Sequence, residues 1–180
     1  MTVIGFHCSH EQLNPAQLLR DVQRAERAGF TAAMSSDHLS PWSERQGESG
    51  FAWAFLGAAL ATTQLPFGVV NAPGRRYHPA AIAHDQWRSN VFAPPVCWDV
   101  ETVEAFDVIS DQVPTEQVRE SVRVSSDLEQ HAEWLQEYVD QGWDELYLHF
   151  VGKFQASFID AFGEHVLPQL TPTAPHGVLA

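Results

Sequence analysis

The residues most able to do chemistry in this sequence stand close together near its start. Asp37 and His38 are adjacent, and a Pro41-Trp42 pair follows three residues later. Histidine titrates near neutral pH and can act as an acid or a base. A neighbouring carboxylate can raise its pKa or fix its tautomer, and an indole can wall an apolar pocket or stabilise a cation. The pattern predicts binding and protonation of a planar ring; a loop histidine capped by its neighbour is the structural alternative.

A second titratable group, Glu11, lies earlier in the chain beside His10. Two titratable groups held in different environments can divide the acid and base roles of a reaction. The alternative is a solvated loop glutamate, which the spacing alone favours. Glu11 is therefore a candidate for proton transfer together with His38.

Nine histidines raise the question of a metal site. His7 and His10 are spaced i, i+3, which brings ligands together on a helix, whereas a strand needs i, i+2 to put them on one face. The sequence holds neither an HExxH motif nor paired CxxC motifs. We therefore expect no metal site, and the absence of GxSxG, P-loop and GxGxxG motifs argues against serine hydrolases and common nucleotide folds.

Composition narrows the class of partner. The 180 residues carry 10 Lys+Arg against 23 Asp+Glu, a formal charge of −13. Nucleic acids and anionic membranes both need a basic surface, so neither is an expected partner. Two cysteines are too few for a disulfide framework, and the N-terminus lacks the pattern of a secretory signal. We expect a cytoplasmic protein that acts on a small molecule.

The elements that must position these residues alternate between strand and helix. Helix starts are marked by Asn14-Pro15 and by the Ser126-Asp127-Leu128-Glu129 capping box. The predicted strands are 3–8, 30–35, 66–70, 118–124 and 145–151, and the predicted helices are 15–28, 51–63, 79–88, 101–112, 126–141 and 154–167. The helix at 51–63 is apolar almost all round, which predicts burial on every side. Such alternation indicates a parallel α/β sheet.

Parallel α/β folds collect their chemistry at the carboxyl ends of the strands. The polar residues that follow the first three predicted strands are His7, Ser9, His10, Glu11, Asp37, His38 and Asn71. His149 falls inside the last predicted strand. The sequence therefore predicts that these polar residues lie together at the carboxyl edge of the sheet.

Several of these segments resemble the luciferase-like monooxygenase superfamily, in its branch related to F420-dependent dehydrogenases. The matching stretches are Gly5-Phe6-His7-Cys8-Ser9-His10-Glu11-Gln12, Ala25-Glu26-Arg27-Ala28-Gly29-Phe30, Ser36-Asp37-His38-Leu39-Ser40-Pro41-Trp42 and Arg76-Tyr77-His78-Pro79-Ala80. The combination of SDHxxPW with RYxPA is specific. Residues 85–170 resemble the C-terminal region of the family, closest to the subgroup of flavin oxidoreductases that do not use F420.

The resemblance implies a TIM barrel that holds FMN or coenzyme F420 at its C-terminal rim, with FMN favoured by the subgroup. It implies that His38 abstracts a substrate proton, that Glu11 protonates the cofactor and that Trp42 stabilises the intermediate. It also places Asp37 at the cofactor, and Val70-Asn71 where family members make a backbone bulge against the flavin ring. The activity implied is hydride transfer or oxygen chemistry.

The chain departs from the family after Ala83, where Ala81-Ile82-Ala83 runs directly into residues that resemble the helix after strand seven. By this alignment, an N-terminal segment (residues 1–83) and a C-terminal segment (residues 84–170) keep strands one, two, three and eight of a (β/α)8 barrel, followed by a tail at 171–180. Four strands cannot close such a barrel. Three outcomes are open: a single truncated domain with an open sheet, a homodimer that completes a barrel, or a catalytically defective remnant that acts as a self-associating or binding module.

Overall fold

Four parallel strands form the centre of the molecule in a computed structural model that describes residues 2–38, 41, 44, 46–70, 102–116, 119 and 122–171. The strands are β1 (Val3–Cys8), β2 (Ala32–Ser36), β3 (Phe67–Val70) and β4 (Glu145–Leu148). Their order across the sheet is β3-β2-β1-β4. The fold is thus α/β, as the alternation of elements predicted. β4 pairs with β1, the position that the last strand of a (β/α)8 barrel takes beside the first.

Five helices accompany the sheet in the described part of the chain. They are α1 (Pro15–Arg27), α2 (Ala52–Thr62), α3 (Val103–Ser110), α4 (Leu128–Asp140) and α5 (Gln155–His165), and a 3-10 turn at Leu167–Gln169 follows α5. The predicted cap of α1 is confirmed, because the Asn14 side chain accepts a hydrogen bond from the backbone N–H of Gln17 at 3.0 Å. α4 begins at Leu128, two residues after the start of the predicted range 126–141, and Asp127 rather than Ser126 caps it.

The main core lies between the sheet and helices α1, α2 and α5. Its largest fully buried side chains are Phe6, Leu18, Phe30 and Ile159, and the rings of Phe6 and Phe30 meet edge to face with centroids 5.9 Å apart. Leu18 sits on the inner face of α1 at helical spacing from the other buried residues of that helix. This core fixes the sheet, and with it the positions of the strand ends.

Two predictions for the elements near the site were wrong. The last strand ends at Leu148 rather than Val151, so His149 follows the strand instead of lying within it. Helix α2 is buried on one face only, and its outer face leaves Trp53 59% and Leu60 57% exposed. An apolar helix is buried on every side only where neighbours surround it, and in the described residues the sheet and α1 cover one side.

One further predicted element is not found, and another lies outside the described residues. Residues 122–124 form no strand, so the short strand predicted at 118–124 is not found in the described portion of that stretch. The helix predicted at 79–88 and the junction after Ala83 lie outside the described residues. None of the described helices is both long and apolar enough to cross a bilayer.

Candidate functional site

Side chains from three strand ends meet at one edge of the sheet. Because all four strands are parallel, the residues that follow β1, β2 and β4 emerge on the same side. Glu11 lies in the turn after β1, His38 follows β2, and His149 follows β4. The register that pairs Cys8 with Ser35 places the ends of β1 and β2 side by side.

Glu11 and His38 form the first pair at this edge. The Nε2 atom of His38 lies 3.4 Å from Oε2 of Glu11, and the histidine side chain is 36% exposed whereas the glutamate side chain is only 9% exposed. The backbone carbonyl of His38 accepts a hydrogen bond from the Ser49 hydroxyl at 2.7 Å. A buried carboxylate thus lies behind an imidazole that reaches solvent.

Ser36, the last residue of β2, holds the Glu11 carboxylate. Its hydroxyl donates to Oε2 of Glu11 at 2.6 Å, and its oxygen accepts from the backbone N–H of His10 at 3.0 Å. Strand residues alternate between the two faces of a sheet, so Ser36 lies on the opposite side to Ser35. One hydroxyl therefore ties the turn after β1 to the end of β2.

The hydrogen bonds at Glu11 decide its charge. Burial by itself raises the pKa of Glu11, but the Ser36 hydroxyl, the residue's own backbone N–H and the nearby His38 imidazole outweigh burial and hold the pKa below its ordinary value. Glu11 is therefore a carboxylate at neutral pH. In this arrangement it accepts hydrogen bonds and stabilises positive charge.

A second pair, His7 and His149, lies on the other side of Glu11. The two imidazole rings have centroids 4.6 Å apart and planes inclined at 51°. Burial, with the neighbouring His149 imidazole, lowers the pKa of His7 to about 4, and burial also lowers the pKa of His149. Both rings are therefore neutral at pH 7.

The remaining predicted site residues have different outcomes. The backbone N–H of Asp37 donates to the carbonyl of Val70 at 3.1 Å, so these two predicted cofactor contacts are neighbours at the ends of β2 and β3. Trp42 and Asn71 lie outside the described residues, and their assignments stay predictions.

His10 turns away into the core, where its ring packs edge to face on Phe55 at 4.7 Å.

Sequence reasoning missed two members of this edge. Ser36 enters the sequence analysis only as the first residue of the SDHxxPW stretch, although its position directly before Asp37 also places it at the strand end. His149 was assigned to a strand interior because 145–151 reads as one apolar run. Because β4 ends at Leu148, His149 follows the strand, and its ring lies beside the ring of His7.

A parallel α/β sheet with titratable groups at the carboxyl edge is the layout of barrel and doubly wound enzymes. The comparison with known protein families is more specific than this layout. Residues 1–88 match the family model described as luciferase-like monooxygenase. These residues carry β1, β2, β3 and both members of the Glu11–His38 pair. The first part of the chain is therefore similar to the luciferase-like monooxygenase family over these residues.

Two curated relatives are similar to parts of this chain. An F420-dependent hydroxymycolic acid dehydrogenase of Mycobacterium tuberculosis is 42% identical over 82 residues, which cover 44% of this chain and 23% of that protein. An F420-dependent glucose-6-phosphate dehydrogenase of Mycolicibacterium gilvum is 32% identical over 149 residues, 76% of this chain and 43% of that protein. The chain thus spans between about a quarter and less than half of these relatives.

Among solved structures, an F420-dependent secondary alcohol dehydrogenase in complex with an F420-acetone adduct is 37% identical. The match covers 45% of this chain and 26% of that one, with a TM-score of 0.38. Both curated relatives carry F420 in their names. The comparisons therefore lend no support to the preference for FMN that the subgroup resemblance implies.

Proposed function

We propose that this chain carries the proton-transfer part of an F420-dependent dehydrogenase site that oxidises an alcohol to a carbonyl compound. The observation that carries the proposal is the Glu11–His38 pair, in which a buried carboxylate stands 3.4 Å from a solvent-reaching imidazole. Its support is the match of residues 1–88 to the family and the F420-dependent relatives.

The pair supplies what removal of a hydroxyl proton requires. When Nε2 of His38 carries the hydrogen that faces Glu11, the lone pair of Nδ1 is left to accept the proton of a substrate hydroxyl. A carboxylate that fixes the tautomer of a histidine and stabilises its imidazolium form is a recurring arrangement in enzymes. We therefore propose that Glu11 orients His38, rather than donating a proton itself as the resemblance implies.

The residues at this edge fit a ring-shaped cofactor. His38 presents a partly exposed imidazole beside the Asp37–Val70 hydrogen bond, and these three residues would line the ring. When bound, F420 accepts the hydride from the carbon that carries the hydroxyl. Trp42 and Asn71 stay proposed members of the same site.

The first experiment measures cofactor choice and the role of His38 in the full chain. We expect F420 to bind at least tenfold more tightly than FMN, measured by fluorescence titration of each. In His38→Ala we expect turnover of glucose 6-phosphate or 2-propanol to fall at least ~100-fold, the range of a lost general base, while the F420 affinity changes less than threefold. The matched control is His165→Ala, an exposed histidine 3.8 Å from Glu164 and outside the site.

Three results would contradict the proposal. If neither cofactor binds, the enzymatic role is excluded. If FMN binds more tightly than F420, the cofactor is FMN, as the resemblance to the subgroup that does not use F420 implies. Unchanged turnover in His38→Ala would remove that residue from the reaction.

A second candidate is a binding module without catalysis that associates with its own copies. It is favoured by the exposed apolar face of α2, where Trp53 and Leu60 lie two turns apart on the same side. A chain that binds neither cofactor and whose mass rises with concentration would support this candidate. A monomer that binds F420 would exclude it.

A further inference from the structure

Three potential metal ligands converge at the polar edge of the sheet. His7, Glu11 and His149 each offer one ligand atom, and these atoms all lie within 4.8 Å of one another. They come from three separate stretches of chain: the end of β1, the turn after it and the residue after β4. Sequence reasoning tested His7 only against His10, and so it found no such cluster.

We propose that His7, Glu11 and His149 form a binding site for a divalent transition metal ion, for which Zn²⁺ is the best fit. Two imidazoles and one carboxylate make a ligand set that zinc uses with a fourth position left open, and imidazole nitrogen selects transition metals over Mg²⁺ and Ca²⁺. Ligand atoms about 2.0–2.1 Å from a tetrahedral zinc stand roughly 3.3 Å apart. The three ligand atoms lie within 4.8 Å of one another and would draw closer on binding, and His149 is the exposed member of the set.

The hydrogen bonds around two of these ligands already orient them. The Gln12 amide nitrogen donates to the carbonyl of Val151 at 2.5 Å, which turns the Gln12 amide oxygen towards His149. Nε2 of His149 lies 3.0 Å from that oxygen and must donate to it. The lone pair of His149 is therefore on Nδ1, because one nitrogen of a neutral imidazole carries the hydrogen.

The carboxylate is oriented in the same way by the Ser36 hydroxyl. Metal-bound histidines and carboxylates are held by such outer hydrogen bonds in proteins, and these fix the tautomer and raise the ligand strength.

This site shares Glu11 with the Glu11–His38 pair. A cation bound by Glu11 would compete with His38 for the charge of this carboxylate, so metal binding would weaken the Glu11–His38 pair. That consequence rests on the proposed function. The site itself does not, and its test uses neither F420 nor turnover.

The test is calorimetric titration of the full chain with ZnCl2 at pH 7 after removal of metals with EDTA. We expect one Zn²⁺ per chain, and at least tenfold weaker binding in His149→Ala. We expect about tenfold weaker binding in Gln12→Ala, in line with the loss of an outer hydrogen bond. The matched control is His165→Ala, which removes an exposed histidine that lies beside the carboxylate of Glu164 but does not belong to the cluster of three ligands. The Zn²⁺ affinity of this variant should differ less than twofold from that of the parent chain.

Co²⁺ supplies a second readout, because its visible absorption reports the ligands directly. We expect a spectrum of nitrogen and oxygen ligands that is lost in His149→Ala, with the fold of each variant checked by thermal melting. The proposal is overturned if His149→Ala binds Zn²⁺ as tightly as the parent chain, or if Mg²⁺ binds as tightly as Zn²⁺. A thiolate charge-transfer band would place the ion at a cysteine and would also overturn it.

Discussion

Ser36 is the residue on which the geometry of the site depends most. Its hydroxyl is paired with the Glu11 carboxylate and with the backbone N–H of His10, both buried. Ser36→Ala leaves a buried charged group and a buried amide short of one partner each. An unsatisfied buried group costs about 1–3 kcal/mol, so we expect a loss of that size in the free energy of unfolding, measured in urea.

The control for this change is Ser35→Ala, one residue earlier in the same strand. Ser35 is equally buried, but its hydroxyl makes only a 3.3 Å contact with the carbonyl of Ser36. We expect Ser35→Ala to cost less than half as much. Equal losses in the two variants would mean that burial of a hydroxyl in β2, rather than the link to Glu11, sets the stability.

At the residue scale, the sequence predicted the pair but not its surroundings. His38 and Glu11 could be selected from residue type and from their position after predicted strands. The contact of His7 with His149 depends on where β4 ends and on its register with β1, in which Phe6 is opposite Leu148. Such a long-range register leaves no local signal in the chain.

At the scale of elements, local signals worked where the structure is local. β1 has the predicted bounds, and α1 begins at the predicted proline because Asn14 and Pro15 determine a helix start by themselves. The burial of α2 was mispredicted because an apolar composition cannot show which neighbours are present. Burial depends on which elements pack against a helix, and in the described residues only one side of α2 is covered.

The contact between α1 and α5 holds two carboxylates with opposite effects on stability. Arg24 of α1 donates to Asp160 of α5 through Nε at 2.6 Å and through a terminal nitrogen at 2.5 Å. The Arg24 guanidinium lowers the pKa of Asp160, whereas burial raises the pKa of Asp21, despite its hydrogen bond with Gln17 and the nearby arginines.

These two shifts predict opposite pH dependences. A carboxyl whose pKa is lowered in the fold stabilises it above the ordinary value of 3.8, and one whose pKa is raised destabilises it there. At pH 7 we expect Asp160→Asn to lower the melting temperature and Asp21→Asn to raise it. The Asp21 difference should fade first, as the pH falls through the raised pKa of Asp21 towards 3.8, and the Asp160 difference should fade as the pH falls below 3.8. Calorimetric melts between pH 3 and 7 check this, and shifts of the same sign would contradict it.

The close approach of α5 to the end of α1 depends on Gly163. A Cβ atom placed there would lie 2.6 Å from the carbonyl oxygen of Ala28 and 2.7 Å from its Cβ. Backbone cannot yield as a flexible side chain does, and overpacking costs about 1–3 kcal/mol. We expect Gly163→Ala to destabilise the chain in urea unfolding, although alanine favours a helix by about 1 kcal/mol.

Gly57 of α2 is the matched control for this position. Among the described residues, a Cβ atom there meets nothing within 4 Å, so Gly57→Ala should gain the helix propensity alone, about 1 kcal/mol. Opposite signs for the two glycines are the expected result. A gain in both would show that α5 can move away from α1 without loss.

At the scale of the whole molecule, an apolar face and a large net charge act against each other. Trp53 and Leu60 are more than half exposed on the outer face of α2, whereas the formal charge of −13 repels copies of the chain. Salt screens that repulsion, because the Debye length falls from about 10 Å at 0.1 M to about 3 Å at 1 M. We expect self-association through this face, and we expect it to strengthen with salt.

Sedimentation velocity between 1 and 100 µM chain at roughly 0.1 and 1 M NaCl measures this association. We expect the double substitution Trp53→Ser and Leu60→Ser to keep the chain monomeric in both salts. Val108→Ser, which removes an exposed apolar side chain from α3, should leave the association unchanged. Because burial of apolar surface contributes about 25 cal/mol per Å², loss of the indole should weaken the contact more than loss of the leucine. A parent chain that stays monomeric at every concentration and salt would show that this face is stable in water without a second copy.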